Sequence, residues 1–183
     1  AAGNAVEVAN AVDFLTGRRR DPRLEAVTLA LAADMLVSAG IENDPGKAGA
    51  LARARLDDGT AAEIFARMVA ALGGPSDLID NPVQFLGTAP NVRPVEASQD
   101  GHVVAVDSRA IGIAVVELGG GRRRPEDRID HRVGLTALIA AGARVAKGEP
   151  LAVVHAADEA SAQAAIGAVR AAYSIGDKAP EAA

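Results

Sequence analysis

The sequence predicts an α+β protein, with an N-terminal segment of about four helices over residues 1–87 and a compact mixed α+β domain over residues 88–183. Three observations carry this. Apolar residues recur at helical spacing through the first half of the chain. Pro82, Pro90 and Pro94 then cluster around Gly87, and proline interrupts helix and ladder alike. Beyond that cluster, short apolar or alternating runs bounded by glycine replace the helical period, which is the mark of strands.

Each element has its own reason. Asn4, with Glu7 three positions on, resembles a capping box. Ala5, Val8, Val12 and Leu15 continue as one stripe, and Gly17 ends it. Asp21-Pro22 is a strong start: a capping carboxylate followed by proline at the first helical position. Leu24, Val27, Leu31 and Met35 follow at helical spacing, and Gly40 stops the run. Asp44-Pro45 opens a third helix, which carries Leu51 and Leu56 and stops near Gly59. Thr60, with Glu63, opens a fourth, with Ile64, Phe65, Met68, Val69 and Leu72 inward and Gly73-Gly74-Pro75 closing it. Val92–Ala97 and His102–Val106 read as strands joined by the turn Gln99-Asp100-Gly101. Ser108 caps a helix bearing Ile111, Val115 and Leu118, ended by Gly119-Gly120-Gly121. Val133–Ile139 and Leu151–Ala156 read as strands, with a turn-rich link over 143–150. An alanine-rich helix over 160–171 and a short strand at 173–175 finish the pattern.

Composition removes several classes of function. The absence of cysteine excludes disulfides, thiolate metal sites and thiol nucleophiles. A net charge of −5 gives no bulk attraction to nucleic acid or anionic lipid. With three Phe, one Tyr and no Trp there is little on which bases can stack. No apolar run reaches the roughly 18 residues of a membrane span, and residues 1–15 lack the basic start and apolar run of a secretory signal. The expectation is therefore a cytoplasmic protein with neither nucleic-acid nor membrane partners. Forty-two alanines require a core of closely packed small side chains.

No complete catalytic constellation is visible. Gly119-Gly120-Gly121 followed by Arg122-Arg123-Arg124 can approach and grip an anion. The segment is no P-loop, because Gly-Lys-Ser/Thr does not follow and the glycines end a helix rather than open one. On composition it reads as a solvated mobile loop. Arg18-Arg19-Arg20 suits a helix C-terminus and is offset by Asp13, Asp21 and Glu25. His102, His131 and His155 have no local ligand partner, so no metal site is expected. The serines and threonines have no local histidine, and Asp57-Asp58 and Glu126-Asp127 read as capping or surface groups. No residue is assigned as catalytic or substrate-binding.

The order of short motifs is more specific than any one of them. Gly3-Asn-Ala-Val-Glu-Val8, Phe14-Leu-Thr-Gly17 and Asp58-Gly-Thr-Ala-Ala-Glu63 come first, then Phe65-Ala-Arg-Met-Val-Ala-Ala71 and Asp107-Ser-Arg-Ala-Ile-Gly-Ile-Ala-Val-Val116. Leu118-Gly-Gly-Gly-Arg-Arg123, Ile129-Asp130, Val133-Gly134, Lys147-Gly-Glu-Pro-Leu151, His155-Ala156 and Asp177-Lys-Ala-Pro180 complete them. Together they resemble the C-terminal portion of the thymidine phosphorylase and pyrimidine nucleoside phosphorylase family, the bacterial thymidine phosphorylase branch most of all.

The resemblance implies that the parent protein is an enzyme, a homodimer without a cofactor. It would cleave thymidine with phosphate to thymine and 2-deoxyribose 1-phosphate in a cleft that closes between a small helical and a large α/β domain. It makes residues 1–87 the helical part of the large domain, lacking its start, and 88–183 the family's C-terminal domain. The groups that hold phosphate and pyrimidine then lie outside this chain, so the fragment alone is expected to be inactive. Gly120, Gly121, Arg122 and Arg123 correspond to a mobile loop that helps hold the closed form. Many relatives carry Glu at the position of Asn10, and some bind a structural cation nearby; with the weaker Asn ligand no such ion is expected. The absence of an initiator Met fits a piece of a longer protein or a processed terminus; the start inside a family motif favours the piece. Ala143–His155 also resembles a biotinyl or lipoyl carrier hairpin, but no Met adjoins Lys47, Lys147 or Lys178, and a carrier role is set aside. The alternative to an enzyme fragment is a non-catalytic binding or scaffold module derived from the same fold.

Overall fold

Aspartates set the starts of the helices. In the computed structural model, which describes residues 1–180, Asp21 accepts the Leu24 amide at 2.9 Å and opens α2 (Pro22–Ser38). Asp44 accepts the Lys47 amide at 2.8 Å and opens α3 (Pro45–Asp57). At α4 (Thr60–Ala71) the expected cap shifts: Thr60 is the first helical residue, and Asp58 accepts its amide at 2.9 Å. Hydrogen bonding from Thr60, its hydroxyl first and its amide second, holds the Asp58 carboxyl below its ordinary range.

The first helix, α1 (Ala5–Leu15), corrects the sequence reading. Glu7 reaches back to the Gly3 amide at 2.7 Å, but the Asn4 side chain does not cap the helix. It donates instead to the Gly120 carbonyl at 2.8 Å. A side chain that finds a distant acceptor forgoes its local one.

The chain forms two compact units. One is Ala9–Phe85, with α2 and α3 packed together and a short helix, α5 (Pro82–Phe85), at its end. Val12, Phe14, Ala33, Ala48, Leu56 and Leu78 are its buried residues. Small side chains let α2 and α3 approach: a Cβ on Gly49 would lie 4.0 Å from the Ala33 Cβ. Arg20 staples the unit through Asp57 and the carbonyls of Phe14 and Leu56. Neither apolar stripe is buried, the inward face expected of the fourth helix included. Leu24, Val27, Leu31 and Met35 on α2, and Ile64, Met68 and Leu72 on α4, are exposed, Leu31 by 60% and Leu72 by 81%. Only Phe65 and Val69 of the α4 stripe are half-buried. Periodicity predicts which face is apolar, not what covers it.

The other unit is Ala1–Val8 with the chain from Leu86 onward. Residues 181–183, at the end of the expected second domain, lie outside the described residues. Its first sheet orders β1 (Ala2–Gly3), β4 (Gly134–Thr136), β6 (Pro150–Ala156) and β2 (Asn91–Glu96), all antiparallel. The second orders β5 (Arg144–Val145), β3 (Gly101–Val106) and β7 (Tyr173–Gly176). The helix α7 (Glu159–Ala171) covers β2 and β6 and meets α6 (Ser108–Val115). Leu135, Leu151, Val95, Val103, Val133, Val145, Val154 and Val169 are fully buried between these elements. Burying each such side chain stabilises by about 1.5–3 kcal/mol.

Three local readings change here. The Val92–Ala97 and His102–Val106 segments are strands, but they do not pair with each other; they belong to different sheets. The turn between them is committed elsewhere: Asp100 accepts the Lys147 amide at 2.7 Å, and Gln99 donates to the Ile175 carbonyl at 3.2 Å. The strand expected to reach Ile139 stops at Thr136, because Ala137 turns left-handed at φ 50°. The 143–150 link contains the two-residue β5. Buried Tyr173 ties the ends together by donating to the Ile139 and Leu151 carbonyls, each at 3.2 Å, and burial pushes its phenol up to about 12. No helix among the described residues is long and apolar enough to cross a membrane.

Candidate functional site

The glycine–arginine loop is built at the end of α6. Asp107, not the expected Ser108, caps that helix by accepting the Ala110 amide at 2.9 Å; Ser108 is its first residue. After Val115 the helix widens into one π turn, Val116–Gly120, a local distortion often found at functional sites. Gly119 ends it at φ 92°, a left-handed conformation that glycine adopts without penalty. Gly120 is required for a different reason: a Cβ there would lie 3.0 Å from the Val115 carbonyl and 2.9 Å from a Val115 methyl. At Gly121 it would meet a Val116 methyl at 2.8 Å.

The loop base is clasped at two carbonyls. Gly119 accepts the Asp130 amide at 2.9 Å, and Gly120 accepts the Asn4 side chain. Asp127 closes the tip: its carboxylate accepts the amides of Arg123 at 3.0 Å and Arg124 at 2.9 Å, and its carbonyl accepts the Arg122 guanidinium at 3.2 Å. Arg123 forms an ion pair with Glu117, six residues back in the π turn. Beyond the loop, Asp130 holds Arg132 through two hydrogen bonds of 2.9 and 2.7 Å. That pairing keeps the Asp130 carboxyl below its ordinary range and raises Arg132. Arg122, Arg123 and Arg132 are thus each engaged by a neighbouring acceptor, Asp127, Glu117 and Asp130. Arg122, Arg123 and Arg124 are exposed, so their outer N–H groups can still meet an anion.

The histidines stay apart. His131 contributes its carbonyl to the Ala5 amide at 2.9 Å. His102 borders a cavity of about 630 Å³ with Asp100, Arg144, Glu149 and Asp177, and its Nδ1 is buried with no hydrogen-bond partner among the described residues. His155 Nε2 lies 2.8 Å from Thr136 Oγ1. Sequence reasoning missed this pair, because the two residues meet only through the β4–β6 ladder. Burial lowers the His155 pKa and so favours the neutral ring, which shares a cross-strand hydrogen bond with the Thr136 hydroxyl. Asp57 and Asp58 serve Arg20, Arg55 and the α4 start, as capping and surface groups. No group of three or more His, Asp or Glu that could hold a metal ion gathers among the described residues. Sequence reasoning also missed Asn4, Glu117 and Asp127 as the loop's anchors. Asp127 carried a signal, three residues beyond Arg124 in an acidic pair; Asn4 carried none, being 116 residues from its partner.

Residues 102–176 match the pyrimidine nucleoside phosphorylase C-terminal domain. Over the whole chain the similarity is to thymidine phosphorylases. That of Burkholderia cenocepacia is 54% identical over 176 residues, which is 96% of this chain and 40% of the relative. That of Mesorhizobium japonicum is 54% identical over 182 residues, 100% of this chain and 42% of the relative. That of Rhizobium meliloti is 49% identical over 180 residues, 98% and 41%. The chain thus spans about two fifths of the length of the curated relatives it matches. With the mixed α+β unit, the loop and the similarity over 96–100% of its length, the chain belongs to the thymidine phosphorylase and pyrimidine nucleoside phosphorylase family and corresponds to its C-terminal portion.

Proposed function

We propose that the protein of which this chain is a part is a cytoplasmic thymidine phosphorylase, a homodimer that cleaves thymidine with phosphate to thymine and 2-deoxyribose 1-phosphate. The observation that supports this best is the identity of about half the residues, spread over 96–100% of this chain, with proteins named for that activity. Phosphorolysis needs an anionic nucleophile held against a glycosidic carbon that becomes cation-like, with water kept out. It requires no cofactor, only positioning and closure. In this reading the chain supplies closure rather than chemistry. Gly120 and Gly121 give the loop its path, and Arg122 and Arg123 carry the charge that meets the closing partner. Residues 1–87 belong to the large domain, and 88–183 form its C-terminal part. The chain alone is inactive.

Thymidine phosphorolysis tests this, assayed with and without phosphate on this chain and on the longer product of the same gene. The expected result is phosphate-dependent cleavage by the longer product and none by the chain. Cleavage by the chain alone overturns the division of labour, and silence from both favours a non-catalytic module.

A further inference from the structure

We propose that Asn4 is the positioning residue of the glycine–arginine loop. In its catalytic consequence this rests on the reading of that loop as a closure element; in its structural consequence it does not. The loop base offers two carbonyls. Gly119's is held locally by the Asp130 amide, whereas Gly120's is held by Asn4 alone among the described residues. Remove Asn4, and the stretch from Gly120 to Arg122 keeps no anchor on the α1 side.

Asn4 is itself set in place by backbone. On one side Gly3 pairs with Gly134 across β1 and β4. The approach is so close that a Cβ on Gly3 would lie 2.9 Å from the Val133 carbonyl, and one on Gly134 2.7 Å from the Ala2 carbonyl. On the other side the Ala5 amide donates to the His131 carbonyl at 2.9 Å. The Asn4 amide therefore reaches out from a rigid base. It stands where an Asn ordinarily caps the helix it precedes, yet α1 receives only its backbone carbonyl, through the Glu7 and Val8 amides. A capping side chain diverted to a glycine loop is a local rule broken in favour of a distant site.

The loop carries its own probe. Trypsin cleaves after Arg122 and Arg123, while Arg124 precedes Pro125 and resists; Arg18–Arg20 serve as an internal standard. Limited proteolysis of this chain is compared for wild type, Asn4→Ala and Asn4→Asp. The Asp variant can still cap α1 but cannot donate to Gly120. Losing one hydrogen bond of ordinary strength predicts about fivefold faster cleavage at Arg122 and Arg123 in both variants, with cleavage at Arg18–Arg20 unchanged. In the longer gene product, Asn4→Asp lowers kcat by about the same factor and leaves the KM for phosphate unchanged, because the loop acts on closure and not on phosphate binding. Unchanged loop cleavage in both variants, or cleavage that rises equally at Arg18–Arg20, overturns the proposal. An inactive wild-type longer product overturns the functional reading instead, and the proteolysis still decides the role of Asn4.

Discussion

His155 shows how one side chain ties stability to pH. Its ring is half-buried beside Thr136, and burial holds its pKa below the ordinary 6.5. The unfolded chain takes up a proton near pH 6.5, the folded chain only at lower pH. Stability from the neutral ring is therefore complete above pH 6.5 and is lost as the pH falls through the window below it. Thermal melts of wild type and His155→Gln from pH 7.5 to 5 should show the steeper loss in the wild type. A parallel decline would remove His155 as the cause. Ala137 is the complementary case, at φ 50° without being glycine. A left-handed alanine costs about 1–2 kcal/mol, and glycine's extra chain entropy about 0.5–1 kcal/mol. Strain wins, so Ala137→Gly should stabilise the chain by up to about 1 kcal/mol in urea denaturation. Neither effect is legible beforehand: a histidine in a strand pattern and an alanine in an apolar run carry no mark of their environment.

At the scale of elements, the loop after α6 makes the sharpest demand on sequence. Gly120→Ala places a methyl against the Val115 carbonyl, which is backbone and cannot rotate away. The strain should cost about 1–3 kcal/mol, read as a lower denaturation midpoint, with faster trypsin cleavage at Arg122 and Arg123. Gly112, where a Cβ would meet nothing within 4 Å, is the control expected to tolerate alanine. The three glycines were legible as a helix stop and as a candidate loop. The π turn was not, because no residue type marks one in a sequence. The helix starts at Asp21 and Asp44 were fully legible, since a cap is a contact within three residues. The hairpin expected through Gln99-Asp100-Gly101 was not, since the polar groups of that turn are spent on Lys147 and Ile175.

For the whole molecule, the exposed apolar faces of α2 and α4 set the solution behaviour. Leu31 is 60% exposed and Met35 72%, on a helix whose Val27 is also exposed. Contiguous apolar surface of this kind drives association. Sedimentation of the chain should show concentration-dependent self-association, and Leu31→Gln with Met35→Gln should weaken it without lowering the melting temperature. Association unaffected by both substitutions would place its origin elsewhere. The sequence by itself determined the fold class, the helix starts at Asp21 and Asp44, most of the strand positions, the family and the glycine–arginine loop, because these rest on periodicity, short-range capping and ordered motifs. Only the tertiary structure decided which strands pair, which apolar stripes are buried, and that Asn4, Thr136 and His155 meet partners far along the chain. Those outcomes depend on which surfaces compete for one partner, and that competition is between residues the chain keeps far apart.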